Sequence, residues 1–358
     1  MKTRRLQIIV VVMAFLMAIF VVQAHIATAG QAAPSAAPTK AIVWNGQSQF
    51  AAGSMEHKSF ERASQMITQM SGGRLVAKPH PAGSIAPPAK QFDAVDSGTL
   101  DYAIDPGNYW RDKWQVATLF DNEINGMSAI EQQLWYLSGG GLQLVRRMVE
   151  KYNVHMINAA LTYPPEIFLS TTKPLRTVAD IKGLKIRTAG DDGTIFTQMG
   201  ASVVMIPAGE IYEAMKRGTI DAFQYMSPAA DASIGFHEAV KYVYLSPVRQ
   251  PCSTSMVLAN KKRWAELPAD LQAIVENAFL GEAWRYYGEV VQEDAKALEK
   301  YKARGAVVAP IPKEIADEVA RRAEKMYAER AAKDPFYAEV LSSRHTFQKA
   351  LRAMFERM

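Results

Sequence analysis

The side chains able to do chemistry are scattered along this chain. Six histidines and a single cysteine, Cys252, are spread through 358 residues. His57 and Glu61 stand one helical turn apart, the spacing of a surface ion pair. His237-Glu238 reads as a solvated helix start. A nucleophilic Cys252 would need an activating partner that the sequence does not supply, so it reads as packing. There is no Gly-x-Ser-x-Gly elbow, no His-Glu-x-x-His and no P-loop. Gly139-Gly140-Gly141 follows a helical pattern over Leu134 to Leu137 and lacks the spacing of a dinucleotide loop. No constellation argues for catalysis. Absence of a motif does not exclude an enzyme, so an exported enzyme stays open beside a sensory ligand-binding protein.

Composition narrows the partners. The chain is 49% apolar and 22% charged, an ordinary globular balance that excludes disorder and fibrous structure. The formal charge of +5 includes Lys2, Arg4 and Arg5, which leaves a body near neutrality and no nucleic-acid partner. Those three charges precede an apolar run, Leu6 to Val22, and small residues ending Ala27-Thr28-Ala29. This is the layout of a secretory signal peptide over residues 1–29, with an uncleaved membrane anchor as the other reading. Residues 30–39 read as an Ala/Pro/Ser linker. One cysteine leaves no internal disulfide, which suits a bacterial periplasm.

The elements that must position a site follow from periodicity. Ala41 to Trp44, Arg74 to Lys78 and Leu100 to Ile104 read as strands. A helix with Phe60, Ala63, Ile67 and Met70 on one face separates the first two and stops at Gly72-Gly73. The chain then repeats itself. Phe92 to Asp101 and Tyr212 to Asp221 match at four of ten positions, with four more conservative. Both describe a helix, a glycine suited to a left-handed cap, and a strand. Leu184 to Arg187 and Val203 to Ile206 read as strands flanking a helix in the second unit. Two α/β lobes of like design follow, as residues 40–158 and 159–250. Residues 251–310 should return to the first lobe and carry a long lobe-spanning helix opened by Leu267-Pro268. Helices over 311–358 end in an apolar stripe, Phe347, Leu351, Met354, Phe355 and Met358. That stripe packs either on its own lobe or on a second subunit.

Lys173-Pro174-Leu175 followed by Val178 to Arg187 strongly resembles the solute-binding proteins of tripartite ATP-independent periplasmic (TRAP) transporters. Pro81 to Ile85 and the two Gly-Thr-(Leu/Ile)-Asp units share the resemblance, which covers residues 40 to 355. The resemblance implies a periplasmic-binding-protein-like α/β fold, with two lobes joined by hinge strands around a ligand cleft. It implies a small organic acid as ligand, membrane permease subunits as partners, and Arg187 as the residue that grips the carboxylate. A guanidinium offers a carboxylate two parallel donors in fixed geometry. Within the family the chain is most similar to the branch for 2-oxo acids and related monocarboxylates. Asn108-Tyr109-Trp110, Asp221 to Pro228 and the tail with Arg344-His345 carry that likeness, and the last implies a homodimer. Tyr109, Trp110 and Tyr225 are thereby candidate pocket walls.

One departure stands out. Where that branch places acidic residues that bind a bridging sodium or calcium, this chain has Gln224 and Gln250. Hard cations prefer charged oxygens, so Gln224, Tyr225 and Gln250 would make at most a weak metal site. No cofactor is expected. The two amides should instead hydrogen-bond the ligand or a water directly.

Overall fold

The computed structural model describes residues 40–188 and 190–357, so the signal-peptide and linker expectations lie outside the described residues. Val43–Met358 is a compact unit that holds the α/β body. The elements begin with β1 (Ile42–Ser48), α1 (Met55–Met70), β2 (Leu75–His80), α2 (Gln91–Ser97) and β3 (Tyr102–Pro106). Three helices follow, α3 (Ala117–Asp121), α4 (Ala129–Ser138) and α5 (Gly141–Met148). Next come β4 (Val154–Tyr163), β5 (Ile167–Thr171), β6 (Lys185–Arg187), α6 (Gly190–Gln198), β7 (Ser202–Val204), α7 (Ala208–Lys216) and β8 (Ala222–Phe223). The chain continues through α8 (Pro228–Ser233), β9 (Tyr242–Leu245), β10 (Ser253–Asn260) and α9 (Lys261–Ala265). It ends with α10 (Ala269–Ala303), β11 (Val307–Pro310), α11 (Lys313–Ala331) and α12 (Pro335–Phe355).

The strands form two sheets, ordered β2-β1-β3-β10-β4 and β11-β9-β5-β8-β6-β7. Each sheet defines one α/β lobe. β1 runs parallel to β3 in the first, and β6 runs parallel to both β7 and β8 in the second. Each parallel set is then flanked by an antiparallel strand, β10 beside β3 and β5 beside β8. The repeat seen in the sequence occupies equivalent places: α2 and α7 each end at a left-handed glycine, Gly98 at φ 81° and Gly218 at φ 69°. Only a residue without Cβ takes that conformation cheaply.

Three segments cross between the lobes. Residues 164–166 join β4 to β5, and residues 246–252 join β9 to β10. The two run side by side, with the Glu166 N–H donating to the Gln250 carbonyl at 3.2 Å. The third is α10, 35 residues and about 52 Å long at 1.5 Å per residue. Its first half packs on the first lobe, where the Phe279 ring lies 6.3 Å from Phe60 and the Tyr286 hydroxyl donates to Glu56. Its second half supplies Ala297 and Tyr301 to the core around Phe223, Phe236 and Val243. Residues 251–310 thus enter the first sheet with β10, and β11 at their end pairs with β9 in the second.

The C-terminal helices are fixed by buried charge as well as apolar contact. Asp334 caps α12 by accepting from the Phe336 and Tyr337 N–H groups, and Pro335 fills the first turn. Arg344 is completely buried. It donates to Glu123 Oε2 at 2.8 Å and the Leu119 carbonyl at 2.6 Å, and it stacks over Trp135. His345 meets the other Glu123 oxygen at 2.6 Å. The tail thus packs on its own chain, while Met354 and Phe355 at its end remain exposed.

Candidate functional site

The strand directions gather the chemistry at one sheet edge. Parallel strands β6 and β8 end at Arg187 and Phe223, and their antiparallel neighbour β5 begins there at Ile167. β9 leaves the sheet at the same edge, because Leu245 pairs with Ile167. Glu166, Arg187, Gln224, Tyr225, Arg249 and Gln250 therefore all sit at or just beyond this edge. Ligands of open α/β sheets bind in the crevice outside the carboxyl ends of parallel strands. The corresponding edge of the first sheet carries Pro106, Tyr163 and Ser255, held together by pairing through β10. With a crossover as short as residues 164–166, the two edges must face each other.

Arg187 is 8% exposed. Its Nε donates to the Ile206 carbonyl at 3.1 Å and its Nη1 to the Gln224 carbonyl at 2.6 Å. The guanidinium lies 5.6 Å over the Tyr225 ring. Burial lowers its pKa from the ordinary arginine value; Tyr225 opposes that, and the like charge of Arg249 adds to it. Among the described residues Nη2 has no partner. The side chain is held rigid by two backbone acceptors and keeps a donor in reserve, the arrangement that a carboxylate needs.

The other expected site residues divide. Tyr225 is half-buried on Arg187 and Phe236, near enough to Tyr109 and Glu56 for their charges to act on its hydroxyl. Tyr109 is 52% exposed on the turn Gly107–Trp110. Gly107 is required there: a Cβ would sit 2.5 Å from the Ala117 carbonyl. Trp110 is buried against Phe92 with its indole N–H on Asp105 at 2.7 Å, so it supports the turn. The Gln224 amide nitrogen donates to the Phe168 carbonyl at 2.7 Å and its oxygen accepts from Thr188 at 2.6 Å. The Gln250 amide donates to Glu166 Oε1 at 2.8 Å. Both amides brace the edge through these bonds.

Three charged residues escaped the sequence reasoning. Arg249 donates through Nη1 to Glu166 Oε2 at 2.7 Å and to the Ile167 carbonyl at 2.9 Å. Its Nε reaches Asp192 Oδ2 at 3.3 Å. All three side chains are buried. Burial pushes the Glu166 carboxyl up to about 7 and the Asp192 carboxyl up to about 6, against the pull of Arg249. Burial also works against the Arg249 charge, but the two acids outweigh it and raise its pKa. Two carboxylates sharing one guanidinium out of water favour retaining a proton between them. The cluster is therefore close to neutral at pH 7. No periodic pattern marks it, since Glu166 and Arg249 lie in the crossovers.

Nothing nearby forms a reactive constellation. Ser48 Oγ is 2.8 Å from His57 Nδ1, and Glu61 is 3.4 Å from the other ring nitrogen, but Ser48 is fully buried and no substrate reaches it. Cys252 is buried against the Met127 carbonyl, and burial pushes its thiol up to about 12, far from a reactive thiolate.

Two lobes, facing strand edges and a preset arginine define a ligand-clasping protein. Residues 46–334 match DctP, the bacterial extracellular solute-binding proteins of family 7, and the chain belongs to that family. It is thereby a solute-binding protein of the TRAP type, a family of binders and not of enzymes. A monocarboxylate 2-oxoacid-binding periplasmic protein of a Nostoc species is 28% identical over 82% of this chain and 80% of its own. A TRAP solute-binding protein of Pseudoalteromonas atlantica, solved with bound sodium and pyruvate, superposes with a TM-score of 0.80. It is 28% identical, over 88% of this chain and 96% of its own. One from Bordetella bronchiseptica, a mixed-occupancy dimer with copurified calcium and picolinate, gives 0.80 at 26% identity, over 89% and 95%. Among the described residues no helix is long and apolar enough to cross a membrane.

Much of the oxygen set that a cation of that kind would use is engaged by protein donors here. Gln224 has both ends of its amide bound, Gln250 has its amide nitrogen bound, and Glu166 and Asp192 each hold Arg249, while Asp192 Oδ1 and Asp231 Oδ2 have no partner among the described residues. Among the described residues no group of three or more acidic, histidine or cysteine side chains is arranged to hold a metal.

Proposed function

We propose that this protein captures a small 2-oxo or 2-hydroxy monocarboxylate between its lobes and delivers it to the membrane permease subunits of a TRAP transporter. The buried, backbone-anchored guanidinium of Arg187 carries the reading. It meets the ligand carboxylate, with Tyr225 and Tyr109 closing on it from either lobe. Residues 164–166 and 246–252 are the hinge, and ligand shifts the lobes toward the closed form that the permease recognises. Residues 1–29 direct the chain to the periplasm and are removed. The pyruvate and 2-oxoacid binding of its relatives supports the ligand class. Picolinate, bound by the Bordetella protein, shares the same pattern: a carboxylate beside a second acceptor. Mass spectrometry of the ligand released from purified protein, followed by calorimetric titration with pyruvate, tests the reading. Absence of any bound or titratable carboxylate overturns it. A homodimer belongs to the same reading, and a mature chain that scatters light as a monomer refutes that part.

A further inference from the structure

A 2-oxo acid has two handles, and Arg187 accounts for one. The oxygen beside the carboxylate is an acceptor that needs a donor or a cation of its own when it leaves water. In related proteins a sodium or calcium ion accompanies the ligand. In this chain Glu166 and Asp192 at the edge are already bound to a second guanidinium, that of Arg249. Arg249 is fixed before any ligand arrives: Nη1 by Glu166 and the Ile167 carbonyl, Nε by Asp192. Glu166 is held in turn by Gln250. Among the described residues Arg249 Nη2 has no partner. A metal ion placed on Glu166 or Asp192 would lie against this positive charge, which neither acid could release without leaving it buried and unpaired. Such a triad is a poor device for stability alone, since desolvation offsets most of the attraction. Its position at the same sheet edge as Arg187 gives it a better reason: Arg249 holds the Ile167 carbonyl, the Ile167 N–H bonds the Met226 carbonyl, and Arg187 holds the Gln224 carbonyl two residues earlier.

We propose that Arg249 is the second ligand-binding guanidinium of this site, and that it presents its remaining donor to the keto or hydroxyl oxygen beside the ligand carboxylate, in the role of a metal cation. Binding then needs neither sodium nor calcium. The two arginines form an angled pair around a carboxylate and its neighbouring acceptor. Unsubstituted acids such as acetate offer only one handle and bind less well. This inference rests on the proposed substrate class and extends it.

The test is calorimetric titration of pyruvate into chelator-treated protein, in choline buffer and in matched buffers with sodium or calcium. The expected dissociation constant changes by less than about 2-fold between buffers, because the cation is part of the protein. Arg249→Gln should weaken pyruvate at least about 100-fold in every buffer, and Arg249→Lys by less, since a point charge keeps part of the field. Acetate should bind the wild type more weakly than pyruvate and should be nearly indifferent to Arg249→Gln, a contrast that a merely structural role would not produce. Wild-type binding that weakens about 10-fold or more on cation removal overturns the proposal and leaves the substrate reading standing. So does a folded Arg249→Gln protein with near wild-type affinity. If Arg249→Gln does not fold, the wild-type cation series and Arg249→Lys still decide. A wild type that binds pyruvate in no buffer overturns both.

Discussion

Replacing Arg187 by alanine is the most direct test of how the site works. Two of the three guanidinium nitrogens are spent on the Ile206 and Gln224 carbonyls. The ligand therefore draws on Nη2 and the face of the group. A charge-assisted hydrogen bond contributes about 1.5–3 kcal/mol, and truncating one partner of a desolvated charge pair costs about 2–5 kcal/mol. That corresponds to a loss of about 30-fold to about 5000-fold in affinity. Folding should suffer less. The two carbonyls lose their donor, but they lie at a strand edge that water can enter once the side chain is gone, at a cost of about 1 kcal/mol. Arg187→Lys keeps the charge and loses the fork. A lysine cannot span both carbonyls and still reach the ligand, so it should recover only part of the affinity. Calorimetry with pyruvate measures the affinity, and circular dichroism with thermal melting confirms the fold. A folded Arg187→Ala protein that binds within about 3-fold of the wild type would refute the role assigned to this residue.

The tail offers a stability test. Arg344→Ala removes a fully buried partner of Glu123, and breaking such a pair costs about 3–5 kcal/mol in urea unfolding; a loss below about 1 kcal/mol would show the helix to be loosely docked. A pH test follows from the hinge triad. Glu166 and Asp192 have folded-state values raised to about 7 and about 6, so their contribution is complete below the unfolded carboxylate range and is lost as pH rises through those values. His345, raised by its bond to Glu123, adds loss in the same direction as pH climbs past its folded value. Stability should therefore decline from about pH 5 to about pH 7.5, and Glu166→Gln should flatten the profile in urea titrations. A wild-type profile that rises across this range contradicts the assignment.

How much of this was legible in the sequence depends on whether a local pattern carried it. Pro268 marks a helix start by chemistry that acts within one turn, and α10 begins where it places it. β10, inside the first sheet, and β4, at its edge, carry no such mark. Ser253–Asn260 is buried on both faces, so the alternation that betrays a half-exposed strand is missing. The hinge triad was hidden for another reason. Glu166, Asp192 and Arg249 lie far apart in sequence and meet only because two crossovers run side by side. The same distance hid the partners of Gln224, which the strand pairing sets against the Phe168 carbonyl and Thr188.

The internal repeat was visible, but its physical purpose appears only in three dimensions. Asp101 and Asp221 close each repeat unit with the same clamp. The Asp101 N–H donates to the Asn45 carbonyl at 2.9 Å, and its carboxylate accepts from the Asn45 N–H at 2.7 Å. Asp221 does the same to Lys185, at 2.8 Å and 3.1 Å. Each carboxylate also holds one cation, Arg263 in the first lobe and Lys173 in the second. The clamp fixes the register of two parallel strands at the end opposite the cleft. In the second lobe those strands are β6 and β8, and their other ends carry Arg187 and the Gln224 carbonyl that grips it. A slip of one residue there would turn Arg187 to the other face of the sheet. The repeated Gly-Thr-(Leu/Ile)-Asp unit thus acts on ligand binding at a distance, by setting the strand register on which the arginine depends.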